Sequence, residues 1–368
     1  MITIDKQISL PDTYPLNRIG SLDSLLFFDI ETTGFSGDYS NLYLIGCTYY
    51  KNNSWHLIQW FADTRESEPE LLHAFFSFLK NYKILVHFNG DGFDIPYLLK
   101  RCKSYGLPYD FSGVQSFDIY RKIKPYRYLL QLDSLKQKSI ECFLGIDRED
   151  TYNGGQLIQV YYDYLQSRSD YLYQLLILHN EDDLKGMPQI LPILNYPDFF
   201  EHSFSLEGQA IESLTDIFGD EHRSLLLTCK SEYRIPVPIE RSLSCVACRA
   251  EGNLLLLSIE LYDGCLKHFY PNYKDYYYLV YEDTAIHKSV GEYVDKDART
   301  KATPKNCYTK KSGCFLPQFE PVWEPFLQQE YKAKLTYIEY EDSLFHESDR
   351  FEAYLRQLIS QLLAKSVL

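Results

Sequence analysis

No segment of this 368-residue sequence reaches the ~18 uninterrupted apolar residues that a membrane-spanning helix needs. The opening stretch, MITIDKQISL, lacks the long apolar centre of a secretory signal. A soluble chain with no membrane partner is therefore expected, with residues 1–21 as a short polar leader. The nine cysteines are scattered, odd in number and form no dense framework. That excludes a small disulfide-stapled fold and points to reduced thiols in a cytoplasmic protein. Internal repeats, low-complexity tracts and a glycine-rich phosphate-binding fingerprint are also missing. Basic charge is in deficit, with 37 Lys and Arg against 51 Asp and Glu and a net charge of −14. This argues against a protein that coats nucleic acid non-specifically. It leaves room for a cation-loaded acidic site beside a local basic track.

What is present fits a folded protein with a sizeable core. Hydrophobic residues make up 45% and charged residues 24%. The length suits two domains. LLFFDIE (25–31), NLYLIGCTYY (41–50), SWHLIQWFAD (54–63) and KILVHFN (83–89) read as strands, with the turn signal KNN between the second and third. Residues 66–82 and 94–106 carry apolar spacing and end signals of helices. Residues 129–145, 155–166 and 170–194 read as further helices, the last bent or broken by Pro188. Three strands, a helix, a strand and then helices predict an α/β mixed sheet flanked by helices over residues 22–197. Beyond about residue 198 the texture turns β-rich. A second domain over 205–368 is expected to end in an amphipathic helix with Phe351, Leu355, Leu358, Ile359 and Leu362 on one face.

Two carboxylates close the first apolar strand. Asp29 and Glu31 are two apart, so both point to one side and repel. NGDGFD puts Asp94 where a strand hands over to a helix. LHNEDDL puts His179 and Asp183 four apart, on one helix face. Gathered together, Asp29, Glu31, Asp94 and Asp183 require compensating cations. Mg²⁺ or Mn²⁺ suits an oxygen-rich set. Two ions about 4 Å apart can support phosphodiester hydrolysis, with His179 orienting or deprotonating the attacking water.

DIETTG, NGDGFD and HNEDD, in that order, resemble the three motifs of DEDD-type 3′→5′ exonucleases of the ribonuclease H-like superfamily. The spacing is similar to the YprB-like bacterial branch. The resemblance implies Asp29, Glu31, Asp94 and Asp183 as ligands of two metal ions, with Asn89 and Phe93 shaping the second motif. It implies Thr32, Thr33 and Gly34 near the terminal nucleotide, and a ribonuclease H-like fold. The His-to-Asp spacing departs from the family, where three intervening residues usually accompany Tyr. Exonuclease polarity rests on this resemblance alone. A structure-specific endonuclease and a non-catalytic nucleic-acid-binding scaffold are the alternatives.

Two basic runs stand against the acidic total. RKIKPYR offers Arg121, Lys122, Lys124 and Arg127 to the phosphates of single-stranded DNA or RNA, and a second run spans 296–311. A solvated loop is the alternative for each, and the more expected one for the second run. CVAC (245–248) reads as a strand whose cysteines face opposite sides, which disfavours zinc. No protein partner is predicted.

Overall fold

The computed structural model describes residues 1–146, 154–215 and 221–365. The chain divides into two units, Met1–Asp198 and Phe199–Leu368. The N-terminal unit is built on a six-stranded sheet. Its strands are β1 (Ile2–Ile8), β2 (Leu25–Thr32), β3 (Leu42–Lys51), β4 (Ser54–Phe61), β5 (Ile84–His87) and β6 (Gln115–Asp118). Their order is β1-β4-β3-β2-β5-β6. The first four strands pair antiparallel, while β5 runs parallel to β2 and β6 parallel to β5. This is the predicted mixed sheet. Around it lie α1 (Glu68–Leu79), α2 (Asp94–Ser104), α3 (Ile119–Ile123), α4 (Gln137–Phe143), α5 (Gly154–Ser167) and α6 (Asp170–Ile190). The short α7 (Asn195–Glu201) spans the division between the units.

Strand β2 is central because its sequence permits nothing else. Leu25, Leu26, Phe27 and Phe28 are all buried, so both faces of the strand need cover. Helix α1 supplies Leu71, Leu72, Phe75, Phe76 and Leu79 at helical spacing, all buried. Helix α6 packs on β2 and β3. It can approach closely because β3 has a glycine at that point. A Cβ on Gly46 would overlap Asn180 Oδ1 and lie 2.5 Å from Leu184 Cδ1. Gly46 is also the register partner of Asp29 on β2. The glycine thus sets how near α6 comes to the carboxylate strand.

Four details differ from the sequence reading. Residues 2–8 are the edge strand β1, paired with β4 from Ile2↔Phe61 to Ile8↔Trp55, and not part of a leader. An edge strand has one wet face, so its polar residues disguised it. The helix expected over 129–145 shrinks to α4. Gln131 takes a left-handed conformation at φ 53°, and Arg127 binds the carbonyls of Leu132 and Asp133. Helix α6 continues two residues past Pro188 before giving way to a 3-10 turn at Leu191–Leu194. The sequence QSFD of strand β6 has neither the apolar run nor the alternation that marks a strand.

The C-terminal unit is β-rich, as expected. One antiparallel sheet comprises β7 (Ser205–Thr215), β8 (Glu221–Lys230), β9 (Ile239–Leu243), β10 (Val246–Glu251) and β11 (Leu254–Glu260), in the order β7-β8-β11-β10-β9. A second sheet holds β12 (Tyr262–Phe269), β16 (Tyr308–Gln318) and β17 (Thr336–Glu339). A third holds β13 (Tyr276–Leu279), β14 (Thr284–His287) and β15 (Arg299–Lys301), with α8 (Lys288–Gly291) following β14. Helix α9 (Ser348–Leu363) packs on β9 and β10 and buries all five of its expected apolar residues. All nine cysteines are free thiols, and Cys245 lies outside the strand that carries Cys248. Among the described residues, no helix is long and apolar enough to cross a membrane.

The close approach at Gly46 generates a prediction. Gly46→Ala should push α6 off the sheet and cost about 1–3 kcal/mol, the usual penalty of overpacking. Urea unfolding measures it; a variant as stable as the wild type would show that α6 does not depend on this approach.

Candidate metal centre and active site

The end of β2 delivers two carboxylates to one side of the sheet, and a β-bulge between Glu31 and Thr32 turns the chain immediately afterwards. Helix α6 brings His179 and Asp183 to the same place. His179 Nε2 lies 3.4 Å from Asp183 Oδ2 and 3.7 Å from Glu31 Oε1. One ligand atom each from Glu31, His179 and Asp183 falls within 4.8 Å of the others, close enough for one metal ion. Among the described residues, this is the group of His, Cys, Asp and Glu with that geometry. Tyr43, stacked on Tyr161 at 4.4 Å, points its hydroxyl at Glu31 Oε2 from 3.5 Å.

Asp29 and Asp94 complete the four expected carboxylates. Burial pushes the Asp29 carboxyl well above its ordinary range, and the charges of Glu31, Asp94 and Asp183 push it further. Asn180 opposes this by donating from Nδ2 to Asp29 Oδ2 at 2.9 Å. The amide of Asn180 is held in turn, because Gln59 Nε2 donates to its Oδ1 at 2.9 Å and to the Ile177 carbonyl at 3.0 Å. Asp94 opens α2 and is buried. Burial raises its pKa to about 7, although hydrogen bonds from its own backbone and that of Ile30 pull the other way. Four carboxylates gathered together, Asp94 buried and the others half-buried, are costly without a cation. An all-oxygen set joined by one imidazole matches the preferences of Mg²⁺ or Mn²⁺. The residues present therefore fit a divalent metal.

The second motif is a tight turn with its own supports. Asn89 adopts φ 62°, and its carbonyl accepts from Gly92 N–H at 2.9 Å and Phe93 N–H at 3.1 Å. Asp118, at the end of β6, accepts from the backbone N–H groups of Asn89 (3.0 Å) and Asp91 (3.3 Å). His87 Nδ1 accepts from Gly90 N–H at 3.0 Å. Phe93 packs edge-on to Phe35, with ring centres 6.4 Å apart.

The loop after the first motif is pinned from below. Thr32 Oγ1 donates to the Gly34 carbonyl at 2.9 Å, and Thr33 Oγ1 accepts from Asn41 N–H at 2.8 Å. Beneath it, Glu68 has no exposed surface and makes a two-pronged pair with Arg101, Nε to Oε1 at 2.5 Å and Nη2 to Oε2 at 2.7 Å. Glu68 also accepts from Asn41 Nδ2 and Leu42 N–H, while Arg101 Nη1 donates to the Gly37 carbonyl at 2.9 Å. Phe35 and Tyr39, 92% and 93% exposed, project from this braced loop.

The basic run divides its work. Arg121 pairs with Asp91 of the second-motif turn at 2.9 Å. Lys122 and Lys124 are exposed and lie near the rings of Phe117 and Tyr120. Arg127 is engaged by the Leu132 and Asp133 carbonyls. Sequence reasoning passed over Asn180, Gln59, Glu68, Arg101, His87 and Asp118. Asp118 did leave a local trace, since it caps α3 by accepting from Arg121 N–H at 3.3 Å. The others act over distances that no local pattern encodes.

Arg101→Ala should leave Glu68 buried and uncompensated, at a cost of about 3–5 kcal/mol. An unchanged urea midpoint would show that Glu68 finds another partner. Burial holds the His87 imidazole below its ordinary 6.5, Arg121 lowers it further, and Asp118 and Asp91 pull it up. As pH falls, the unfolded chain therefore takes up this proton first. The stability from neutral His87 is in place above about pH 6.5 and is lost as pH drops toward the folded value. His87→Gln should flatten the fall in unfolding free energy between about pH 7 and 5; an unaltered slope would assign that fall to other groups.

The RNase_H superfamily model matches residues 26–195. A DNA polymerase of Thermococcus aggregans is 32% identical over 92 residues, which is 23% of this chain and 5% of the polymerase. The chain thus spans a small part of the curated relatives it matches. The family B DNA polymerase of Pyrobaculum calidifontis superposes with a TM-score of 0.39 and 15% identity, covering 48% of this chain and 25% of the polymerase. E. coli exonuclease I in complex with a dT13 oligonucleotide gives a TM-score of 0.31 and 11% identity, covering 56% and 54%. With its mixed sheet, its helices and the family match, the N-terminal unit carries a domain of the RNase H superfamily, over residues 26–195.

Proposed function

We infer that the protein is a metal-dependent nuclease that hydrolyses phosphodiester bonds of single-stranded DNA or RNA from the 3′ end. The observation that carries this reading is the convergence of Glu31, His179 and Asp183 within 4.8 Å, beside the desolvated carboxylates Asp29 and Asp94. Asp29, Glu31, Asp94 and Asp183 would hold two Mg²⁺ or Mn²⁺ ions. When bound, such ions supply Lewis-acid polarisation of a phosphate oxygen and a more acidic water.

The chain's own groups do the remaining work. His179 Nε2, turned toward Glu31 and Asp183, orients the attacking water and accepts its proton. Asn180 keeps Asp29 aimed into the site. Thr32, Thr33 and Gly34 frame the place of the terminal nucleotide, and the exposed ring of Phe35 beside Phe93 offers a base a stacking surface. Asn89 sets the turn that leads into Asp94. Arg121, Lys122 and Lys124 contact phosphates, while Arg127 braces their segment from behind. The 3′→5′ direction follows from the motif resemblance. A cytoplasmic setting goes with nine free thiols.

End-labelled and circular DNA and RNA, incubated with Mg²⁺, Mn²⁺ or chelator, test the reading. Asp29→Asn and Asp183→Asn should abolish hydrolysis while the protein stays folded. Asp29→Asn should also raise the stability of the metal-free protein, because it removes one of four repelling charges. Turnover at the wild-type rate in either variant overturns the assignment. Binding without cleavage by the wild type would indicate a scaffold, and cutting of circles an endonuclease. His179→Ala should lower the rate at saturating metal by ~10²–10⁴-fold. Weakened metal affinity in calorimetry, with an unchanged saturated rate, would instead make His179 a ligand.

A further inference from the structure

The C-terminal unit contains a cleft of about 770 Å³ at the end of β12. Phe269, Tyr270, Tyr273, Phe326 and Tyr331 line it, together with three prolines. Its rings are braced against collapse. Tyr270 stacks on Tyr276 at 4.8 Å, and Phe269 meets Tyr308 and Tyr331 edge-on at 5.2 and 5.5 Å. His268 Nδ1 sits 2.9 Å from the Phe326 carbonyl and ties down the opposite wall. Tyr331 stands at the rim, 36% exposed.

Charge around the cleft runs against the total. Lys267 and Lys332 flank lining residues, with Nζ 4.6 Å from the Tyr308 ring centre and 5.5 Å from that of Tyr331. Lys274 and Lys305, both exposed, follow the lining residues Tyr273 and Pro304. Against these four lysines stand three carboxylates: Glu324 in the wall, Glu330 next to Tyr331, and exposed Asp275 next to Lys274. A local excess of positive charge in a chain of net charge −14 marks this surface out. Elsewhere in the basic run at 296–311, Lys310 pairs with Asp283, Lys311 with Glu339, and Arg299 donates to the Gly291 carbonyl.

We propose that this cleft is a second nucleic-acid site, which binds single-stranded DNA or RNA by stacking unpaired bases on its tyrosine and phenylalanine rings and placing phosphates on the surrounding lysines. Aromatic faces accept any base, and lysines accept any phosphate, so the site is tolerant of sequence. A duplex cannot use it, because its bases are already stacked on one another. The site holds substrate without taking part in chemistry. Its binding does not depend on the nuclease reading, since it needs no metal.

The test is fluorescence anisotropy of labelled oligo-dT and oligo-U with the full-length protein in chelator, across a salt series. The double variant Tyr331→Ala with Lys332→Gln changes two side chains at the rim of the cleft, and a melting curve checks that the fold is kept. Its affinity should fall by about tenfold, the usual scale for removing one stacking partner. Its salt slope should shallow by ~0.7 for each phosphate that the variant no longer neutralises. A loss confined to oligo-U would support the site with RNA as its ligand. Superimposable binding curves would overturn the proposal, as would displacement of a proline-rich peptide from the cleft with no oligonucleotide effect. Loss of binding in the double variant, in a protein that hydrolyses nothing when metal is added, would uphold the cleft and refute the nuclease.

Discussion

Negative charge held together out of water is the constraint on which the N-terminal unit depends. Asp29 lies in the field of Glu31, Asp94 and Asp183, in β2 directly after four fully buried residues. Left alone, such a cluster would drive the elements apart or take up protons. The fold offsets the repulsion with rigidity. Gln59 fixes the amide of Asn180, Asn180 fixes Asp29, and Gly46 leaves the space in which helix and sheet come together. Each interaction is modest. Together they preserve an arrangement whose natural complement is a divalent cation.

The two loops around this centre are held by polar networks of different character. Beneath the first-motif loop, a dry ion pair between Glu68 and Arg101 gathers α1, α2 and the loop backbone onto one carboxylate. Beneath the second-motif turn, Asp118 and His87 accept from successive backbone N–H groups. A left-handed residue such as Asn89 needs support of that kind, since its conformation carries a steric cost. Both networks commit buried charge or buried polar groups to backbone geometry. Exposed rings at Phe35 and Tyr39 stand in solvent on the braced loop.

The C-terminal unit solves a different problem. It has three small antiparallel sheets and an amphipathic helix, with much of its tyrosine at sheet ends and turns. Tyrosine suits this placement, because its ring packs on one side while its hydroxyl stays wet. Around β12 the same residue type forms an open aromatic cleft with lysines at its edge. Net charge describes the whole chain; the sign of the charge around the cleft is local.

Local periodicity made most of the N-terminal strands and helices, and the carboxylate motifs, legible in the sequence. Asp29 and Glu31 share a face because strands repeat every two residues, and His179 and Asp183 share one because helices repeat every 3.6. Those repeats are properties of the backbone and need no tertiary information. What ties the motifs together is long-range: Asn180 reaches Asp29 across 151 positions, Arg101 reaches Glu68 across 33, and Asn89 reaches Asp118 across 29. Only the packed structure decides such pairings, because a hydrogen bond depends on distance and angle in space. The edge strand β1 shows the same limit. Its alternation is weak, and only the presence of β4 beside it makes MITIDKQI part of the sheet.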